Sequence, residues 1–205
     1  MTRAGLTPDK VVAEAGVLAD ERGIRALALA PLAERLGVRV PSLYKHVGGL
    51  DDLHRRVALA AMGDLAGALG AATVGRSGLD ALRACATAWR AYATEHPGRY
   101  AAIQRGPDRS AGADPELLAA GDRVLDLVLA VLRGYGLDAD GTVHAARAVR
   151  SALHGFISLE AEGGFGLSQD IEVSYDRLVT LLDAGLGSGT TTAAGATGPT
   201  GTARG

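Results

Sequence analysis

Five side chains that can contact a nucleic acid lie within eight positions of the sequence, shortly after Gly37: Arg39, Ser42, Tyr44, Lys45 and His46. Arginine can donate two parallel hydrogen bonds to a guanine edge, a contact that contributes about 1–3 kcal/mol of discrimination between bases. Tyrosine, lysine and serine side chains donate to phosphate oxygens, which fixes the register on a duplex without reading its sequence. The segment is therefore either a polar turn between two helices or a surface that contacts a nucleic acid.

Two short helices before this segment must position it. Thr7 can cap a helix, and the Pro and Asp that follow it favour a first turn, which predicts a helix over 8–22. A second helix is expected over about 29–36, ended by Gly37, and a third from Pro41 to about His46. The five polar side chains would then lie on or beside the third helix.

Two helices joined by a short turn that contains glycine form the outline of a helix-turn-helix. A small apolar core can hold their crossing: Leu32, Leu36, Val38, Leu43 and Val47. The surface left over on the third helix is polar and basic, which suits entry into the major groove. The outline alone leaves open an ordinary helical hairpin with a solvated face.

The composition predicts an all-α fold of about nine helices. Hydrophobic residues make up 47% of the chain and aromatic residues only 4%, a balance that favours helix over strand. A fourth helix opens at Asp51-Asp52, with Leu53, Val57 and Ala61 on its inner face. Further amphipathic stretches follow at about 77–95, 97–105, 114–134, 140–162 and 171–186.

Three parts of the chain are expected. Residues 1–50 would form the helix-turn-helix domain, and residues 51–186 a helical regulatory and dimerisation domain. Residues 187–205 are almost entirely Gly, Thr and Ala, a composition that buries too little apolar surface to offset the entropy of ordering, so this tail is expected to be disordered.

The sequence also indicates the cellular compartment and excludes one kind of covalent cross-link. The N-terminus turns polar too early for a secretory leader, and no apolar run approaches the roughly 20 residues that span a bilayer. The single cysteine, Cys85, excludes an internal disulfide framework. We expect a protein of the reducing cytoplasm, without a membrane partner. The net charge of −2 hides a mildly basic N-terminal part, with nine Lys/Arg against seven Asp/Glu in residues 1–60.

An enzyme is disfavoured by the residue spacing. The histidines are scattered and none occurs in a metal-binding pattern: His46, His54, His96, His144 and His154. No Gly-x-Ser-x-Gly elbow and no phosphate-binding loop is present. We therefore predict no catalytic residue, no metal and no cofactor.

The stretch LAERLGV followed by PSLYKHV, after one helix and before a long one, resembles the tetracycline-repressor-like (TetR/AcrR) family of transcriptional regulators over about residues 7–60. The remaining helices match the family's regulatory domain in architecture. The run His154-Gly155-Phe156 also resembles a subfamily with a His-Gly pair on its penultimate helix.

The resemblance implies which residues meet DNA. Tyr44 and Lys45 match the family's phosphate-gripping pair, and the full set is Arg39, Val40, Pro41, Ser42, Tyr44, Lys45 and His46. Two positions depart from the family pattern, because Arg39 stands where many members have Ser and Leu50 where they often have Lys. We favour solvated surface charge over a compensating phosphate contact for Arg55 and Arg56.

The resemblance also implies a small-molecule effector and a homodimer. The expected pocket residues are Trp89, Tyr92, Tyr100, Ile103, Leu125, Leu129 and His154. The expected dimer residues, on the last two helices, are Val149, Leu153, Ile157, Ile171, Tyr175, Leu178 and Leu182. For any one of the pocket residues, an ordinary place in the core remains the alternative.

The function expected is a repressor that binds a palindromic operator as a homodimer and is released by its effector. Release would be a shift between head spacings, limited by the effector's difference in affinity for them. The alternative is a helical adaptor that binds protein partners and not DNA.

Overall fold

The computed structural model describes residues 5–104 and 113–193, with side chains up to residue 188, and these ranges contain nine α-helices and no strand. The all-α prediction is confirmed. The helices are α1 Pro8–Arg22, α2 Leu29–Leu36, α3 Val40–Leu43, α4 Leu50–Thr73, α5 Gly78–Glu95, α6 Pro97–Ile103, α7 Pro115–Leu132, α8 Ala139–Ala161 and α9 Ile171–Ala193. Short 3₁₀ turns follow α1 and α7.

The ends of the first two helices agree with their predicted bounds. The Thr7 hydroxyl accepts a hydrogen bond from the Lys10 amide at 3.2 Å, which caps α1. Gly37 ends α2 in the left-handed conformation, with φ of 65°. Its amide and that of Val38 bond back to the α2 carbonyls of Glu34 and Ala33 at 3.0 and 2.9 Å. This pattern turns the chain sharply into the next helix.

The third helix is shorter than predicted. It ends at Leu43, and Tyr44 to His46 form a turn instead of helix. The His46 amide donates to the Leu43 carbonyl at 2.8 Å, a three-residue spacing that tightens the chain, while the Val47 amide donates to the same carbonyl at 3.0 Å. The turn keeps Leu43 and Val47 on the inner side.

The last helix is longer than predicted. It was expected to end near residue 186 but continues to Ala193, so the first seven residues of the predicted disordered tail are helical. The Ser188 hydroxyl donates to the Ala184 and Gly185 carbonyls at 3.0 Å, so this polar side chain is accommodated inside the helix. Residues 194–205 of the tail lie outside the described residues.

Two separate buried clusters divide the chain within α4. The head cluster consists of Val11, Ala15, Leu18, Leu27, Leu32, Ala33, Leu43, Val47, Leu53 and Val57. The larger regulatory cluster begins at Ala61, one turn further along α4, and draws on α5 to α9. The head core thus extends past residue 50 into the first two turns of α4.

The head also contacts α6 closely. Gly98 of α6 lies against the backbone of α1, so that a Cβ at this position would stand 2.0 Å from the Ala19 carbonyl oxygen. The neighbouring Arg99 donates from its amide and its Nε to the Asp20 carboxylate at 2.8 and 2.7 Å. The Asp20 side chain is only 13% exposed. These contacts attach α1 to the regulatory half.

One arginine joins three helices of the regulatory half. Arg90 of α5 pairs with Glu160 of α8 at 2.5 Å and with Glu172 of α9 at 2.7 Å. Its guanidinium lies 4.9 Å from the centre of the Tyr175 ring. The Tyr175 hydroxyl in turn donates to the Ala86 carbonyl at 2.7 Å. The inner face of α9 is therefore held against α5.

Candidate nucleic-acid interface and effector cavity

The segment after Gly37 separates apolar from polar side chains. Leu43 is fully buried and Val47 is 2% exposed, and both pack in the head core. Tyr44 is 58% exposed although it is an aromatic residue, and Lys45 beside it is exposed as well. Two buried anchors, one on each side, hold these outward side chains on a short rigid turn.

The other predicted DNA contacts surround this pair. Arg39 and Pro41 are exposed, whereas Ser42 and His46 are half-buried. Val40 is half-buried and packs against the head cluster, so it offers only part of its surface. The DNA-contacting role of the set stays a prediction, and its exposed members have the accessibility that the role requires.

The cations on this face have no ionic partner within the part of the chain that the structure describes. Neither Arg39 nor Lys45 forms an ion pair with any residue of the described ranges. Arg35, on the side of α2 that faces α1, instead pairs with Glu14 at 2.9 Å and Glu21 at 2.6 Å. The head therefore uses one arginine to hold its helices together and leaves the cations of the exposed segment available for phosphate.

The start of α4 is fixed directly behind this segment. The Asp52 carboxylate accepts from the Gly48 amide at 2.8 Å and from Arg56 at 2.9 Å, which lowers its pKa. Arg55 binds Asp114 and, at 2.6 Å, Glu116 at the start of α7. The prediction that Arg55 and Arg56 are solvated charges is wrong, because both are ion-paired.

A cavity of about 430 Å³ is lined by residues of the five helices from α4 to α8. Its lining is mostly apolar, as effector pockets usually are. The lining residues are Met62, Leu65, Trp89, Tyr100, Ile103, Gln104, Gly121, Val124, Leu125, Val128, Leu129, Val143, Ala146, Arg147 and Arg150. Five of the seven predicted pocket residues are among them: Trp89, Tyr100, Ile103, Leu125 and Leu129.

The other two predicted pocket residues, Tyr92 and His154, are not among the lining residues. Tyr92 is buried and its hydroxyl donates to the Ala61 carbonyl at 3.0 Å, so it serves the core, and burial raises its pKa. The His154 Nδ1 lies 3.2 Å from the Tyr100 hydroxyl and 3.3 Å from the Ser158 hydroxyl. Burial, with Arg150 as a smaller cause, lowers the pKa of His154 and favours its neutral form. His154 therefore contacts the lining residue Tyr100 without lining the cavity itself.

A chain of polar contacts orients the aromatic wall of the cavity. The Trp89 Nε1–H donates to the Tyr100 hydroxyl at 3.1 Å, and that hydroxyl is also in hydrogen-bond contact with His154. Both aromatic side chains are less than a tenth exposed. These hydrogen bonds fix the orientation of the two aromatic rings that line the cavity.

Sequence reasoning missed two lining residues of chemical interest, Arg147 and Arg150. Both are charged and exposed, and on a helix such residues are ordinarily solvated. Their three-residue spacing puts them on one face, which was the only signal available. Which helix that face meets depends on tertiary packing and was not visible in the sequence.

The predicted dimer residues need correction. Val149, Leu153, Ile157 and Tyr175 are at most 5% exposed within the single chain, so they have no surface left for a second copy. Ile171, Leu178 and Leu182 are half-buried, the last two against the same core. A stripe of apolar residues marks a buried face but does not say whether the partner is this chain or another. The exposed apolar side chains nearby are Leu159, Val173 and Leu181.

Other kinds of site find no support in the described residues. No cluster of three or more His, Cys, Asp or Glu side chains there is arranged to hold a metal ion. Within the same ranges, every helix is too short or too polar to cross a membrane. Burial raises the pKa of the Cys85 thiol to about 11, so it is unreactive at neutral pH.

Known proteins resemble the chain along most of its length. The HTH-type transcriptional regulator Rv0681 of Mycobacterium tuberculosis is 39% identical over 188 residues, which cover 92% of this chain and 85% of the relative. The HTH-type transcriptional regulator YobS of Bacillus subtilis is 32% identical over 186 residues, which cover 90% of this chain and 94% of YobS. Residues 82–182 match the family described as tetracyclin repressor-like, C-terminal domain. The chain belongs to the TetR family of transcriptional regulators.

A solved TetR-family structure shares the fold. The TetR of Acinetobacter baumannii, in complex with minocycline, superposes with a TM-score of 0.64 at 22% identity, over 88% of this chain and 96% of its own. Membership in the TetR family makes the protein a DNA-binding regulator with a helix-turn-helix head and not an enzyme. The segment Arg39–His46 spans α3 and the turn that follows it, within that head.

Proposed function

We propose that this TetR-family protein is a repressor that binds a palindromic operator as a homodimer and leaves it when a small molecule fills the cavity. The observation that carries the proposal is the outward display of Tyr44 and Lys45 between the buried anchors Leu43 and Val47. Tyr44 and Lys45 bind phosphate oxygens, and Arg39, Val40, Pro41, Ser42 and His46 meet base edges and the adjoining backbone.

Affinity for a particular operator requires two heads. One short segment reads only a few base pairs, so two copies about 34–36 Å apart on a palindrome combine their contacts. The outward faces of α8 and α9 are the surfaces that we assign to the dimer. Leu181 is 71% exposed there and Leu159 is 50% exposed, whereas the inner faces of both helices are already buried.

The effector acts through α6. Tyr100, Ile103 and Gln104, at the C-terminal end of α6, line the cavity, while Gly98 and Arg99 at its start contact α1 of the head. A ligand that shifts this short helix therefore shifts the head as well. A coupling free energy of about 1–3 kcal/mol lowers the affinity for the operator about 5- to 150-fold. The complex of the Acinetobacter TetR with minocycline is consistent with a small-molecule ligand in this fold.

The first experiment asks whether the protein binds DNA. Fluorescence anisotropy is measured with DNA from beside its own gene at about 50 and 200 mM salt, with a scrambled duplex as control. We expect two chains per duplex, preference for the gene-adjacent DNA, and weaker binding at high salt because phosphate contacts release counterions. A chain that binds neither duplex at low salt contradicts the proposal and favours a helical adaptor for protein partners.

A further inference from the structure

The cavity is apolar except at its mouth, where its charge is of one sign. Among the lining residues that the structure describes, only Arg147 and Arg150 are charged. They lie one turn apart on α8, and neither forms an ion pair with a residue of the described ranges. Arg150 makes one long hydrogen bond, 3.4 Å from its Nη2 to the Gln104 carbonyl oxygen.

Other arginines that contact neighbouring helices are ion-paired, unlike Arg147 and Arg150. Arg55, Arg90 and Arg99 each bind a carboxylate on another helix at 2.5 to 2.7 Å. The two arginines at the cavity mouth therefore keep donors that no carboxylate of the described chain uses. Guanidinium groups bind carboxylates and phosphates strongly because the donor geometry matches two oxygens.

We propose that the effector is an amphiphile with an apolar body inside the cavity and an anionic oxygen headgroup bound by Arg147 and Arg150. This inference deepens the proposed function and rests on the cavity being the effector site. At roughly 30 Å³ for each water-sized group, the cavity has room for about fourteen such groups, which is the size of a medium-chain carboxylic acid. The Tyr100 and Trp89 polar atoms are occupied by each other and by His154, so the body of the ligand meets mainly apolar wall.

A tryptophan in the cavity wall allows ligand binding to be followed by intrinsic fluorescence. Trp89 is the only tryptophan of the chain and lines the cavity, so quenching or a spectral shift of its fluorescence measures occupancy without DNA. Octanoate, decanoate and dodecanoate are titrated below their micelle concentrations, each against its neutral primary amide and its alkylamine. The amide has the same shape as the acid but no negative charge, which isolates the contribution of the headgroup.

We expect the best carboxylate to bind about tenfold more tightly than its amide, and the alkylamine to bind most weakly. Arg147→Gln and Arg150→Gln should each reduce carboxylate affinity by about threefold to tenfold and leave amide affinity unchanged. Arg123→Gln is the matched control, because Arg123 is an exposed cation of α7 that does not line the cavity. It should leave the affinities of both acid and amide unchanged.

The inference is overturned if no carboxylate of the series binds more tightly than its amide, or if the two glutamine variants weaken acid and amide equally. Its failure can be told from failure of the proposed function. One outcome is that carboxylates bind through Arg147 and Arg150 but do not change the affinity for the operator. This outcome supports the headgroup assignment and contradicts only the release of DNA by an effector. Release of DNA by the amides as strongly as by the acids supports the regulator and overturns the anionic effector.

Discussion

The head and the regulatory half arrange their functional side chains in opposite ways. The head closes a small core completely and displays Tyr44 and Lys45 outside it, whereas the regulatory half turns Trp89 and Tyr100 toward a cavity that its larger core leaves unfilled. A groove of DNA must be met by a rigid projection, and a small molecule by a concave apolar wall. The same helical fold supplies the projection and the cavity, and α6 contacts the head and lines the cavity.

The contact between the two regions is the first place to break this arrangement. Gly98→Ala should cost more than about 3 kcal/mol of unfolding free energy, because the added Cβ would stand 2.0 Å from the Ala19 carbonyl oxygen and α1 must move away. Urea unfolding measures the loss. Gly63→Ala, on exposed helix with open space around it, is the control and should stabilise by up to about 1 kcal/mol. Equal stability of the two variants would contradict the close α1–α6 contact.

The assigned dimer surface comes next. Leu181→Glu places a charge where we expect an apolar contact between two copies, and should weaken dimerisation by about tenfold to a hundredfold without unfolding the chain, since the leucine is 71% exposed. Analytical ultracentrifugation over a dilution series measures this. Val74→Glu, at an apolar position that is 80% exposed between α4 and α5, should leave the dimer intact. An unchanged dimer in the Leu181 variant removes α9 from the interface.

Filling the cavity should separate the two regions functionally. Ala146→Leu adds three carbon atoms at a buried lining position and should raise stability by about 1 kcal/mol. Operator affinity should be unchanged, but ligands that quench Trp89 should no longer bind. Thermal unfolding and the fluorescence titration measure both effects. A variant that still binds every ligand of the wild type would show that the effector site lies elsewhere.

The smallest effect concerns the ion pair at the start of α7. Arg55, with a smaller contribution from the helix amides, lowers the pKa of Asp114 from its ordinary 3.8 to about 2. This stabilisation is complete above the ordinary value and is lost as the pH falls toward the lowered one. Arg55→Gln should therefore be slightly less stable than wild type at pH 5, and the difference should shrink at pH 3. Arg133→Gln, an exposed cation, should show no such trend in urea unfolding.

Sequence predicted the parts of this molecule that depend on local chemistry. Thr7 and Gly37 end their helices by capping and by a left-handed turn, interactions confined to a few neighbouring residues, and so α1 and α2 agree with their predicted bounds. The exposed pair Tyr44 and Lys45 was likewise expected, because assigning Leu43 and Val47 to the core leaves the side chains between them at the surface.

Features that depend on distant partners were not predicted. Leu153 and Tyr175 follow an apolar stripe that fits a dimer interface and a chain core equally well, and only the packing of α5 against α8 and α9 decides between them. The small size of Gly98 is required by the close approach of α1, a contact that the sequence around Gly98 does not indicate. Arg147 and Arg150 were not singled out, because their place at the cavity depends on the packing of α8 against α6 and α7.

The central claim is tested most directly by removing the two phosphate-binding side chains while the cavity is monitored. Tyr44→Phe combined with Lys45→Ala should weaken operator binding by about tenfold to a hundredfold in fluorescence anisotropy and make the salt dependence shallower, because each head loses phosphate contacts. Ligand quenching of Trp89 and the unfolding free energy should remain those of the wild type. Operator affinity that is undiminished in this double variant would contradict the account.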